Sequence, residues 1–247
     1  MAAADPEVAD AVAAAREALA ELRWHPALRR RAAEVGAEVA VRAAVSVATL
    51  GGARVPLDVV RRVAGDTATG PPDRDPGVAL AVRALRGTLA LQRWAQAPPT
   101  ATLQVLATLH TAAGAGLLEP AELGRPRSGS APGLAALAAV VAGGDVPAGL
   151  RAAVAHAEIL TLHAFDPVSA EVAFAFARGV VRWGGLDLLG VGLPEAHAAG
   201  DPAGYRGALA RYAEDPVAWC RWWLGALALG AAHGRQAADA VMAGRFD

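Results

Sequence analysis

The sequence predicts an all-α fold. Alanine, leucine, valine and arginine recur at three- and four-residue spacing along almost the whole chain, which is the helical period. β-Branched alternation over strand-length windows is hardly seen. Clusters of proline and glycine cut the chain at helix-length intervals, which gives the expected elements their ends.

Taken in order, the period predicts helices over about 6–22 and 26–50, the second closed by "GGARVP", from which a short helix over 56–64 leaves. The break "DTATGPPDRDP" ends on Asp75-Pro76, a cap followed by a first-turn proline, and starts a helix over 76–94. "QAPPT" then leads into a helix over 100–114. The segment 117–133 is the longest non-helical stretch and the place a small β-hairpin flap would occupy. Helices over 131–143, 147–162 and 169–184 follow, the last two joined by a short loop around His163. After "GVGLPEAHAAGDP" come helices over 203–213 and, opened by Asp215-Pro216, over 216–232. No repeat of fixed period stands out.

The 247 residues, 54% of them hydrophobic with a formal net charge of −1, suit one globular domain with an extra helix or two. All 23 basic residues are arginine, and neither lysine nor asparagine occurs, a usage that points to a GC-rich, bacterial-type coding sequence. It removes Schiff-base and phosphate-loop lysines from the chemistry. Near-neutral charge gives no general pull toward nucleic acid, and the basic run at 28–35 is soon followed by acids. The single Cys220 excludes an intramolecular disulfide framework and fits a reducing compartment, so a cytoplasmic protein is expected. The acids near the N-terminus run against a signal peptide's charge order, and the apolar stretches are too short to span a bilayer, so no membrane association is expected.

Most motif candidates fail on chemistry. "GLDLLGVGLPE" lacks the third glycine and the preceding strand of a dinucleotide loop, and "GRPRSGS" has no lysine. The His-x-Glu at His156 has no downstream Cys-x-x-Cys, and His156 and His163 lie about 10 Å apart by helical rise, too far to share a metal. No metal site is expected. His156 reads as a satisfied interior histidine, and Trp219, Trp222 and Trp223, which share one broad helix side, read as packing.

One stretch carries more. "VAHAEILTLHAFDPVSAEVAFAFARGVV" (154–181) resembles the core of the Fic (Fic/Doc) family, in which an apolar helix ends at His-Pro-Phe and passes into Asp/Glu-Gly-Asn-Gly-Arg at the next helix start. "YRGALARYAEDPVAWCRWWLGAL" (205–227) resembles the family's C-terminal close. "SVATLGG" (46–52) has the spacing of its inhibitory helix, with Leu50 in the glutamate place, and "GLLEPAELGRPRSGS" (116–130) resembles the approach to its substrate flap. The resemblance implies a Fic-like helical bundle over 36–235 after an N-terminal helical extension at 1–35, with an inhibitory-helix-like segment at 40–52 and a degenerate core motif at 163–174.

It also implies a chemistry and its loss. In the family the histidine is a general base for transfer of a nucleotidyl group from ATP·Mg²⁺ to a protein hydroxyl, the reaction called AMPylation. His163 holds the place of the base. The magnesium-binding acid is replaced by Pro167, with Asp166 one position early. The Gly-Asn-Gly anion cradle becomes Val168, Ser169 and Ala170, and the phosphate-binding arginines become Glu171 and Phe174. The expectation is a Fic-fold pseudoenzyme with no cofactor, whose residual groove takes a protein partner or small molecule. The alternative is a transferase of altered chemistry, with His163 as base, Asp166 beside it, and Ser169, Arg125 and Arg127 holding a phosphate donor, ATP·Mg²⁺ included. A third expectation is a helical module that forms a homodimer around Trp222 and Trp223.

Overall fold

The computed structural model describes residues 5–64, 75–94 and 101–245. The breaks expected at 66–74 and 96–100 lie outside the described residues. Twelve α-helices are present among the described residues: α1 (Pro6–Arg23), α2 (Pro26–Arg30), α3 (Ala32–Leu50), α4 (Leu57–Ala64), α5 (Pro76–Leu91), α6 (Thr102–Gly114), α7 (Ala131–Ala142), α8 (Ala148–Thr161), α9 (Ser169–Trp183), α10 (Pro194–Gly200), α11 (Pro202–Ala210) and α12 (Pro216–Met242). None of the described residues is in a strand.

Aspartate starts four of them in the same way. Asp5, Asp75, Asp201 and Asp215 each accept backbone N–H bonds from the first turn, and each is followed by proline, whose fixed φ suits the first helical position. The centre of the bundle is α9, in which Ser169 and every residue from Glu171 to Val181 are buried, because α5, α6 and α8 pack on its different sides. α12 closes the other flank against α1, α8 and α10. Gly230 and Gly234 allow this approach: a Cβ there would fall 2.7 Å from Pro194 N and 2.2 Å from Val191 O.

The structure departs from the expected elements at four places. The helix expected over 26–50 is broken at Arg31, whose φ of −135° and ψ of 33° separate α2 from α3. Its guanidinium turns to the carbonyl of Val241, tying the break to the end of α12. α10 lies inside the stretch expected to be a break; Pro194 is its first residue, so the proline starts a helix. α12 continues ten residues past 232, since its packing against α1 and α10 outweighs the low propensity of Gly230 and Gly234. The hairpin is absent: 117–130 is a chain of turns with Gly124 at φ 75° and Gly129 at φ 91°, and Pro120 and Pro126 cannot donate to a ladder. α1, in the segment expected to be an extension, packs along α12.

Candidate functional site

The segment 163–174, expected to be a degenerate core motif, spans the loop between α8 and α9 and the first turns of α9. α8 ends in a Schellman closure: the His163 N–H donates to Leu160 O at 3.1 Å and the Ala164 N–H to Ile159 O at 3.5 Å. His163 is the left-handed residue of that closure, with φ 49°, a place usually taken by glycine. Its ring is therefore directed outward, with the side chain 68% exposed.

Three of the candidate residues meet there. The Nδ1–H of His163 donates to Asp166 Oδ2 at 3.0 Å, and Arg127 Nη1 donates to the same oxygen at 3.3 Å. A carboxylate only accepts, so Asp166 fixes the proton on Nδ1 and leaves Nε2 as the basic nitrogen. Arg127 is brought in by its backbone, whose N–H donates to Ala164 O at 2.8 Å, so the turn segment 117–130 is pinned to the loop after α8. Arg125 is exposed and makes no side-chain hydrogen bond among the described residues.

The residues at the start of α9 are engaged in interactions of their own. Ser169 does not cap α9; its Oγ accepts the Phe165 N–H at 3.1 Å and is buried. Val168 is fully buried and Phe165 nearly so. Glu171, in the first turn of α9, is 3% exposed and accepts a hydrogen bond from Arg83 Nε of α5 at 3.2 Å. Burial pushes its carboxyl above the usual range, against the pull of its own backbone N–H and of Arg83. A polyanion entering here would meet a buried acid whose guanidinium is already engaged.

Phe174 joins an aromatic cluster with Tyr205, Trp219 and Trp223 around His156. His156 Nε2 pairs with the Tyr205 hydroxyl at 2.8 Å, so the interior histidine is satisfied at one ring nitrogen and not at Nδ1. Burial holds the imidazole down to about 3, only partly opposed by the Ala173 backbone. Trp223 is 1% exposed, and the half-buried Trp222 packs on Tyr205 and Trp219 within the same chain.

Two groups escaped the sequence reading. Arg178 on α9 is 8% exposed; it reaches Glu195 Oε2 at 3.1 Å and donates to the Gly192 and Gly190 carbonyls. His110 on α6 is buried with its ring centroid 5.1 Å from that of Phe165, and neither ring nitrogen has a partner. Its place among Val105, Leu106, Leu109 and Ala113 is legible as one apolar helix face, and that signal was available. Among the described residues no cluster of histidine, cysteine or acids could hold a metal ion. Nor is any described helix long and apolar enough to cross a membrane.

No protein-family model matches the sequence, and no match is found among curated proteins. Solved structures do match. The crystal structure of a Fic family protein from Desulfovibrio desulfuricans G20 superposes with a TM-score of 0.70 over 94% of this chain and 75% of that one, at 18% identity. This chain has the Fic fold. A second match, Fic-1 from C. elegans, gives a TM-score of 0.65 over 96% of this chain and 73% of that one, at 14% identity. Both matches take in nearly the whole chain, and at identities this low the likeness is one of fold.

Proposed function

We propose that this Fic-fold chain is a pseudoenzyme that lacks protein AMPylation activity and acts by binding a protein or small molecule. The observation that carries the reading is the buried Arg83–Glu171 pair at the start of α9. Catalysis of nucleotidyl transfer needs donors arranged around developing phosphate charge, and the residues at these positions are an acid, an inward-turned serine and an aromatic side chain. ATP·Mg²⁺ has no set of side chains here that fits it. His163 with Asp166 and Arg127 is an exposed polar cluster at the mouth of the α8–α9 junction and the surface a partner would meet first.

A second reading has one specific observation in its favour. The His163–Asp166 contact orients an imidazole with Nε2 free, the geometry of a general base. On that reading Arg127 stabilises an anionic substrate beside it. Incubation of the chain and acceptor proteins with α-labelled ATP·Mg²⁺ separates the two. The pseudoenzyme leaves every protein unlabelled; label that appears with the wild type and vanishes with His163→Ala would favour the second reading.

A further inference from the structure

At the other end of α8, about 20 Å from His163 by helical rise, the chain forms a cavity of about 390 Å³ that opens to solvent. Its walls come from α1, the first turn of α8, the loop after α9 and α12. Leu19, Val191 and Leu224, each under 5% exposed, make the inner surface. Leu188 and Leu189 line the same space from the loop, yet are 50% and 39% exposed, which leaves two large apolar side chains facing solvent at the opening.

The charges on this cavity are of one effective sign. Arg16 and Arg23 lie seven residues apart, two turns along one side of α1, and both line it. Neither makes an ion pair among the described residues; Arg23 rests over the Trp24 ring at 5.0 Å. The lining also contains one acid, Asp187, and its two oxygens accept the Gly190 and Gly192 N–H groups at 2.9 and 2.7 Å. That carboxylate is therefore spent on shaping the loop. What remains is an apolar interior rimmed by two guanidinium groups that have no carboxylate partner among the described residues.

We infer that this cavity binds a small amphipathic anion, a straight-chain carboxylate whose tail lies on Leu19, Val191 and Leu224 and whose head pairs with Arg16 and Arg23. The volume is within the range of about 300–1,000 Å³ in which small-molecule sites fall. Two guanidiniums against one carboxylate leave a single net positive charge, which matches a monoanionic head. Guanidinium and carboxylate meet in a paired-donor geometry that fixes orientation. Leu188 and Leu189 cover the proximal methylenes once the chain is seated. The site lies apart from the α8–α9 junction, so its success or failure says nothing about nucleotide binding there.

The test is equilibrium dialysis of the full chain against labelled dodecanoate below its micellar concentration. Saturable one-to-one binding is expected, weakened about tenfold by Arg16→Gln and by Arg23→Gln and about tenfold for dodecanol, which lacks the charge. Ala20→Trp, from an exposed lining position on α1, should block it by filling the opening while leaving the core untouched. Absence of saturable binding overturns the inference, as does binding indifferent to Ala20→Trp. Equal affinity for dodecanol, unchanged in both glutamine variants, overturns the anionic assignment. Sedimentation with phosphatidylglycerol vesicles in the absence of dodecanoate binding would reassign the leucines and arginines to a lipid surface and overturn it as well.

Discussion

Arg83 of α5 donates from Nε to Glu171 Oε1 of α9 across 3.2 Å, and both side chains are largely withdrawn from water. The pair joins the central helix to a neighbour at the point where the Fic resemblance places a phosphate-binding arginine. It answers a question the sequence left open, namely what balances an acid at this position. The partner comes from 88 residues away in the chain.

The pair makes a pH-dependent prediction. Because burial raises the Glu171 carboxyl above its ordinary 4.5, the folded state holds a proton there more readily than the unfolded chain. Its contribution is fully present below 4.5 and is lost as pH rises through the folded value. Glu171→Gln carries no such charge, so its stability relative to wild type should improve from pH 4 to pH 7 in urea titrations. A difference that is flat with pH would show that burial of the acid is not the governing effect.

His163 offers a test of position against chemistry. In a left-handed C-terminal closure, glycine is favoured over a residue with a Cβ by about 1 kcal/mol. His163→Gly should therefore melt higher than His163→Ala, with the wild type between them, and any partner binding should depend on Asp166 and Arg127 as well as on the ring. A wild type more stable than both variants would mean that the imidazole's contact with Asp166 outweighs the backbone.

His156 should act as an acid-sensitive element. Its folded value of about 3 lies below the unfolded 6.5, so above 6.5 the group contributes no penalty. Between those limits the unfolded chain binds a proton that the folded chain refuses, and stability falls as pH falls, by about 1.4 kcal/mol per pH unit once the unfolded histidine is charged. His156→Phe should remove that slope, while stranding the buried Tyr205 hydroxyl at a penalty of about 1–3 kcal/mol. Comparing the variant with wild type at pH 7 and pH 5 by chemical denaturation separates the two effects, since His110 contributes equally to both proteins.

Arg178→Met should destabilise the fold by about 3–5 kcal/mol, because Glu195, 1% exposed, would keep a buried carboxylate without its cation and the Gly190 and Gly192 carbonyls would lose a donor. Replacing Glu195 by leucine in the same chain should recover part of that loss. A single substitution with little effect in urea unfolding would contradict a structural role for the pair.

Much of the fold was legible from local signals. The apolar period located most of the helices, and Asp-Pro pairs marked α5 and α12 directly, since capping and a preset φ are properties of adjacent residues. What failed depended on distant partners. α10 was hidden because Pro194 at a helix start and proline in a loop look alike until α12 is seen packed beside it. The break at Arg31 answers to the end of α12, more than two hundred residues later. At the site, the proximity of His163 and Asp166 follows from spacing, but Arg127 arrives through a backbone hydrogen bond from a turn segment expected to be a hairpin. The partner of Glu171 and the aromatic surroundings of Phe174 belong to packing, which no local pattern encodes.

The central claim is that this Fic-fold chain has no working phosphate cradle. Calorimetric titration of the full chain with ATP·Mg²⁺ to millimolar concentration tests it most directly. The account predicts no saturable heat for the wild type. Saturable binding that is lost when Arg127 or Ser169 is replaced would contradict it, and would mean that the residues now at the start of α9 hold phosphate in another way.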